Sequence, residues 1–355
     1  MSHARPIAQN HPMMQSRSAV AGVVAVVTAY VVARHYLQVE WTIDAPVPVV
    51  WWVLGAILGV LGLPLLLTAV GRDVVRLAEP EGRSWGRLLL RWVLPLLVAH
   101  VAWLGLTLAV LRRFNPGVTG IPARTIPEIG SLVLLPPLEL SLLWSLALVP
   151  VVARLTRRLP AGAVVVALAA LTLLTPAPTF LVFLLVGMRF AAAIDRVGET
   201  ASWRDLAPYG AVALVGAAVL AVPRFPDALG VTVAGLAVLP FALLLVAKLG
   251  GARAGSRGLV RVGTSAVAIF LVQIPFLALF DKVVLERLGK AGPGLQYPAA
   301  VVEPLVIVAA VVACGVVATG LVRVGRLLVG RRRHRGANQA PPAMDRSPVL
   351  AEVDR

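Results

Sequence analysis

Two ionisable side chains in the middle of apolar segments, His100 and Glu139, are the residues of this chain best suited to chemistry. A charged group near the bilayer centre costs about 3 kcal/mol or more, so it is by default a candidate for function. A carboxylate bonded to an imidazole orients the ring, and such a pair could abstract the proton of a hydroxyl group. The same pair could instead be an interhelical hydrogen bond that locks two segments together. Both interpretations require the two segments to be neighbours.

Three further polar residues lie inside apolar segments: Thr28, Gln273 and Glu303. Glu303 lies shallower than the others and precedes Pro304. The chain contains no His-Glu-x-x-His, Cys-x-x-Cys, Walker lysine loop or Gly-x-Ser-x-Gly motif. Its single cysteine, Cys314, can form neither an internal disulfide nor a multi-cysteine metal site. We therefore expect no metal and no bound cofactor.

The composition indicates that these segments face lipid. Of 355 residues, 59% are hydrophobic and 14% are charged, and the mean hydropathy is +0.86. Soluble domains are about 45–50% apolar and about 25% charged, and disordered chains are less hydrophobic still. The composition therefore excludes a soluble globular domain and a disordered chain.

Apolar segments long enough for a membrane helix, which needs roughly 17–25 residues, predict an all-α bundle of about ten spans. The fifth and sixth candidate spans are separated only by Pro176, so they form either a tight hairpin or one broken helix. The candidate spans are 18–34, 47–70, 88–111, 130–153, 161–175, 177–194, 208–222, 229–248, 264–280 and 299–322.

The formal net charge is +16, and the basic residues are distributed unevenly between the two sides of the predicted membrane domain. With ten spans, most Lys and Arg residues fall on the side that also holds both termini, and cytoplasmic loops are the ones that collect basic residues. We therefore expect both termini in the cytoplasm and no nucleic-acid partner. The predicted organisation is a cytoplasmic segment at 1–17, a membrane domain at 18–322, and a basic, Pro-rich, disordered cytoplasmic tail at 323–355.

Three short stretches resemble the acyltransferase-3 family of integral membrane acyltransferases. Residues 263–275 (GTSAVAIFLVQIP) are similar to the family's Gly-x-x-Ser-x-x-x-Tyr-Leu-x-His-x-Pro stretch. Residues 143–146 (LWSL), followed by the basic run at 154–158, resemble its Leu-Trp-Phe-Leu helix and basic exit. Residues 180–189 (FLVFLLVGMR) resemble its Phe-rich helix that ends in Gly. Ten spans and a cytoplasmic N-terminus are also typical of the family.

The resemblance implies transfer of an acyl group from a cytoplasmic donor, of the acyl-CoA type, to a hydroxyl of an envelope glycan or glycolipid. Arg17 matches the family's arginine, and it would attract the anionic donor. Two departures matter: the family's catalytic histidine in the first span falls on Thr28, and the histidine of the ninth span falls on Gln273. Neither side chain accepts a proton near pH 7, so another base such as His100 has taken over or the chain is a degenerate, inactive member.

The sequence analysis therefore carries two functions forward. In the first, His100 and Glu139 are catalytic in a membrane acyltransferase. The substrate-binding candidates are then Arg17, Thr28, Trp144, Gln273 and Glu303. In the second, the chain is a non-catalytic membrane protein: a transporter or flippase of an envelope precursor, or a structural subunit bound to another membrane protein. In either case we expect a multi-pass protein of a bacterial plasma membrane, in contact with its lipids.

Overall fold

The computed structural model describes residues 61–74, 84–114, 126–136, 141–200, 202–219, 227–253, 261–285, 287, 290 and 293–337. Within these ranges all regular secondary structure is helical, as expected from the composition. The first helix, α1, is described over 61–74. The second, α2, comprises Trp85–Leu88, a π-helical turn at Leu89–Val93 and Leu94–Phe114.

The remaining helices are α3 (Ile126–Leu134), α4 (Leu142–Leu155), α5 (Ala161–Leu171), α6 (Pro178–Arg189), α7 (Ala191–Thr200), α8 (Leu206–Val219), α9 (Asp227–Arg253), α10 (Ala266–Phe280) and α11 (Pro293–Ala337). A 3-10 turn at Trp203–Asp205 precedes α8, and a π-helical turn at Asp281–Leu285 follows α10. Residues up to Val316 form one compact unit, and the remainder of the chain from Val317 forms another.

Three helical segments in the described ranges are long and apolar enough to cross a membrane: Trp85–Val110, Ala228–Val246 and Val301–Val322. A fourth would be the bent segment formed by Ala266–Gln273 and Pro275–Val284. Large apolar side chains are exposed on the outside of the unit, such as Leu214 at 74% and Val215 at 70%. This distribution is typical of a protein in contact with lipid. The count of ten spans stays a prediction, since span 18–34 and most of span 47–70 lie outside the described residues.

The structure interrupts the segment that the sequence analysis treats as one span at 130–153. Helix α3 ends at Leu134, Leu135 forms a bend, and α4 begins only at Leu142. Pro136 and Pro137 explain the interruption, because proline has no backbone N–H and disfavours helical geometry in the residue before it. At Pro176, in contrast, α5 and α6 pack against each other across residues 172–177, which favours the hairpin over one broken helix.

The basic segment that follows the last apolar stretch differs from expectation. We expect 323–355 to lack regular structure, but α11 continues through Ala337. Arginine, leucine and valine at 321–335 allow a helix to propagate once it has formed. Residues 338–355 lie outside the described ranges.

Helix α6 occupies the centre of the larger unit. All of its residues from Pro178 to Leu185 are buried, and the helix packs against α4, α5, α7 and α9. Its Phe180 ring meets the edge of Phe270 in α10, with centroids 5.7 Å apart. At its C-terminal end, Arg189 Nη2 donates hydrogen bonds to the carbonyl and hydroxyl oxygens of Thr156, at 2.6 and 3.1 Å. This contact fixes the end of α6 beside the end of α4.

Glycines allow α1 and α6 to approach at backbone distance. A Cβ atom at Gly71 would collide with the carbonyl oxygen of Leu184, and one at Gly187 would collide with the carbonyl oxygen of Thr68. The Thr68 hydroxyl also donates to the Phe183 carbonyl at 3.4 Å. Small residues serve this purpose in membrane bundles, because dispersion forces and hydrogen bonds between helices must replace the hydrophobic effect there.

We expect Gly187→Ala to destabilise the protein, because the added methyl group meets backbone atoms that cannot rotate away. The cost of such overpacking is about 1–3 kcal/mol. Gly105→Ala is the matched control, since beyond its own helical turn no atom of the described residues lies within 4 Å of a Cβ atom at that position. Alanine there should be neutral or stabilising by up to about 1 kcal/mol. Thermal unfolding in detergent measures both; equal unfolding temperatures for the two variants would contradict the close approach.

Candidate functional site

His100 lies on the buried face of α2 and is 0% exposed. Leu104 and Thr107, one and two turns further along, are also buried, as their spacing on a helix requires. On the opposite face Val98 is 60% exposed and Val101 is 48% exposed. Helix α2 therefore presents an apolar face to the lipid and its histidine to the interior.

Neither ring nitrogen of His100 has a hydrogen-bond partner among the described residues. The backbone of Val133, near the end of α3, lies close to the imidazole, but not in hydrogen-bonding geometry. A buried polar group without a partner costs about 1–3 kcal/mol. Such a cost is what one expects of a group kept for a substrate, a proton or an ordered water molecule.

Two contacts fix how α2 runs against α4. The Trp92 indole N–H donates to the Leu146 carbonyl at 3.0 Å, and the Arg154 guanidinium lies 4.5 Å above the Trp85 ring centre. Trp85 of α2 contacts Arg154 near the end of α4, whereas Trp92, later in α2, contacts Leu146, earlier in α4. The two helices are therefore antiparallel. His100 follows Trp92 by eight residues, about 12 Å along the axis, which brings it toward the N-terminal end of α4 at Ser141.

His100 is therefore level with the interruption between α3 and α4 rather than with the middle of α4. Val133 approaches the ring from one side of this interruption, and α4 begins on the other. Glu139, the proposed carboxylate partner, belongs to 137–140, which lie outside the described residues. Arg17 and Thr28 also lie outside them. The pairing of His100 with Glu139 stays a prediction.

Gln273 is the second buried polar residue of interest, and it is 2% exposed in α10. Its side-chain oxygen has no hydrogen-bond partner among the described residues. The helix bends by 42° between Ala266–Gln273 and Pro275–Val284. Proline explains the bend, since Pro275 cannot donate to the carbonyl of Leu271 and its ring displaces that carbonyl. Gln273 therefore lies directly at the bend of a segment that is long and apolar enough to cross a membrane.

Helices α2 and α10 are in contact, and one small apolar cluster joins Leu104 and Leu108 to Ala278. In the predicted ten-span topology these helices belong to the third and ninth spans, 88–111 and 264–280, which run in the same direction. Leu104 follows His100 by four residues, and Ala278 follows Gln273 by five. At 1.5 Å per residue, His100 and Gln273 are then at nearly the same depth on two neighbouring helices.

Glu303 and Trp144 have different surroundings. Glu303 is 5% exposed in α11. Ile307 and Val311 follow it at helical spacing and are buried, and the next residue of the series, Gly315, touches Ile269 of α10. Glu303 therefore belongs to the face of α11 that packs on α10. Trp144 is half-buried on α4, one residue from the buried Ser145.

The sequence analysis missed two buried hydroxyls, those of Thr107 and Ser145. Neither has a hydrogen-bond partner among the described residues. For Thr107 a signal was present, because a residue seven positions after His100 lies on the same face of the helix. For Ser145 no comparable signal exists, since serine is common in apolar helices. In the ranges that the structure covers, no three His, Cys, Asp or Glu residues are grouped closely enough to hold a metal ion.

Comparison with known proteins gives no match: no family model, no curated protein and no solved structure matches the chain. The resemblance to the acyltransferase-3 family therefore depends on the short motifs, on Arg17 and on the predicted span count.

We expect His100→Leu to fold at least as well as the wild-type protein, because an apolar side chain of similar size removes two buried nitrogens that have no partner. Thermal unfolding in detergent tests this. Thr107→Val is the matched control. It removes a second buried polar atom without a partner among the described residues from the same face of α2, so its unfolding temperature should also equal or exceed that of the wild type. Destabilisation of about 1–3 kcal/mol by His100→Leu alone would instead indicate that His100 makes a structural hydrogen bond.

Proposed function

We propose that this chain is a multi-pass membrane acyltransferase-like protein of a bacterial plasma membrane, with both termini in the cytoplasm. The observation that carries the proposal is the imidazole of His100, which is fully buried and has no partner among the described residues. Such a group is costly inside a membrane protein, and proton transfer is the chemistry for which histidine is best suited.

In the proposed reaction His100 takes the proton of an acceptor hydroxyl. The hydroxyl oxygen attacks the acyl carbonyl, the new C–O bond forms, and the C–S bond of the thioester donor breaks. The proton then passes from the imidazole to the departing thiolate. A side chain that accepts and later returns one proton in this way contributes about 10²–10⁴-fold to the rate.

The other candidate residues have supporting roles in this proposal. Gln273, at the depth of His100 on the adjoining helix, holds the acceptor by a hydrogen bond to its side-chain oxygen. Glu139 orients the imidazole when the acceptor is bound, and Arg17 attracts the anionic acyl-CoA. Thr28 assists Gln273, while Trp144 and Glu303 line the path of the substrate. The acceptor is a hydroxyl of an envelope glycan or glycolipid.

The test is acyl transfer from labelled acyl-CoA to native envelope lipid in membranes that contain the overexpressed protein. We expect His100→Gln to lower the rate at least about 100-fold at equal expression. Gly105→Ala, which adds a methyl group to α2 at a position with open space around it, should retain the rate. Transfer by His100→Gln at the wild-type rate would exclude His100 as the base. No transfer by folded wild-type protein would contradict the enzymatic function itself.

A second candidate function is the movement of an envelope precursor across the membrane without chemistry. The bend at Pro275 and the interruption at Pro136 favour it, because transporters place discontinuous helices around sites near the membrane midplane. The replacement of both family histidines, at Thr28 and Gln273, points the same way. Under this alternative the labelled precursor appears unmodified in the outer leaflet of vesicles that contain the protein, and this signal does not depend on acyl-CoA.

A further inference from the structure

Two arginines interrupt the lipid-facing surface at the beginning of α2. Arg87 and Arg91 are one turn apart, and both are exposed. Their neighbours Leu90 and Leu94 are 66% and 51% exposed, so the surface around the two cations is apolar. Arg91 lies in the π-helical turn Leu89–Val93, a departure from regular helix that is frequent at functional sites.

No anion of the described structure neutralises these two arginines. Neither has a hydrogen-bond or ion-pair partner among the described residues. Residues 84–114 include no Asp or Glu. The end of α4, which lies beside Trp85, adds only further cations: Arg154, Arg157 and Arg158. A counter-charge must therefore come from outside the chain or from its remaining segments.

The exposed surface beyond Arg91 has the length and character of one lipid leaflet. Leu94, Val98 and Val101 are exposed and follow Arg91 at intervals close to whole helical turns. From Arg91 to Val101 the helix advances about 15 Å, which is half of the ~30 Å hydrocarbon thickness of a bilayer. An acyl chain along this surface would end near the midplane with its headgroup at the arginines.

We propose that Arg87 and Arg91 bind the phosphate of an anionic glycerophospholipid whose acyl chains lie along Leu94, Val98 and Val101. Guanidinium groups suit this role, because their forked donors match the oxygens of a phosphate. The site does not depend on the proposed acyltransferase function, since it lies on the face of α2 opposite to His100. In the proposed topology it opens to the cytoplasmic leaflet, where anionic lipids attract basic residues.

The test is a titration of the purified, detergent-solubilised protein with phosphatidylglycerol and with phosphatidylcholine of the same chains, followed by native mass spectrometry. We expect the wild-type protein to bind phosphatidylglycerol more tightly. Each arginine near an anionic headgroup contributes about a fivefold factor, so Arg87→Gln with Arg91→Gln should weaken that binding about 25-fold. Arg87→Lys with Arg91→Lys keeps the positive charge but removes the forked guanidinium donors, so this double variant should bind phosphatidylglycerol with an intermediate affinity. If the double glutamine variant does not fold, the double lysine variant still tests the site.

The matched control is Arg196→Gln with Arg204→Gln, which removes two exposed arginines from α7 and the 3-10 turn. This control should bind phosphatidylglycerol within twofold of wild type. Equal losses in the two double variants would overturn the site in favour of bulk charge attraction. Unchanged binding in both the glutamine and the lysine variants would overturn it as well. Displacement of the lipid by millimolar inorganic phosphate would assign the arginines to a water-soluble phosphate instead.

Discussion

The close packing of the buried helix α6 is the constraint on which the rest of the larger unit depends. In lipid, every backbone polar group must find its partner within the protein, and a helix of 12 residues covers only about 18 Å of a ~30 Å hydrocarbon core. Such a helix is stable there because other helices surround it. Gly71 and Gly187 bring α1 to backbone distance, Arg189 holds the end of α4, and Phe180 meets α10.

This arrangement explains how α2 can carry an imidazole inside and cations outside. With α4 and α10 packed against it, α2 buries one face, and that face holds His100 and Thr107. The other face meets lipid, where an arginine can extend its charged end to the headgroups. The interior accommodates several polar atoms without partners among the described residues, at a cost in stability that the apolar contacts around α6 offset. Polar groups retained at such a cost are the ones to which function is most reasonably assigned.

The sequence alone predicts the helical class, and hydropathy places His100, Gln273 and Glu303 within apolar segments, where the structure finds them buried. It does not predict the interruption after Leu134, although Pro136 and Pro137 were visible, because a hydropathy window averages over two apolar prolines. The continuation of α11 through Ala337 is not predicted, because hydropathy marks only the apolar stretch, whereas a helix that has formed can extend into the basic residues that follow. That α10 contacts α2 was not predictable, since the period of a helix indicates which face is buried but not which helix covers it.

The central claim is that His100 and Gln273 lie at one depth on touching helices and can hold a ligand between them. The most direct measurement is the effect of Zn²⁺ on the unfolding temperature of Gln273→His, because two histidines at one depth on touching helices would bind the metal and stabilise the folded state. We expect Zn²⁺ to raise the unfolding temperature of Gln273→His, but not that of the wild-type protein or of Gln273→His with His100→Ala. An unfolding temperature of Gln273→His that does not respond to Zn²⁺, or a response that persists without His100, would contradict the account.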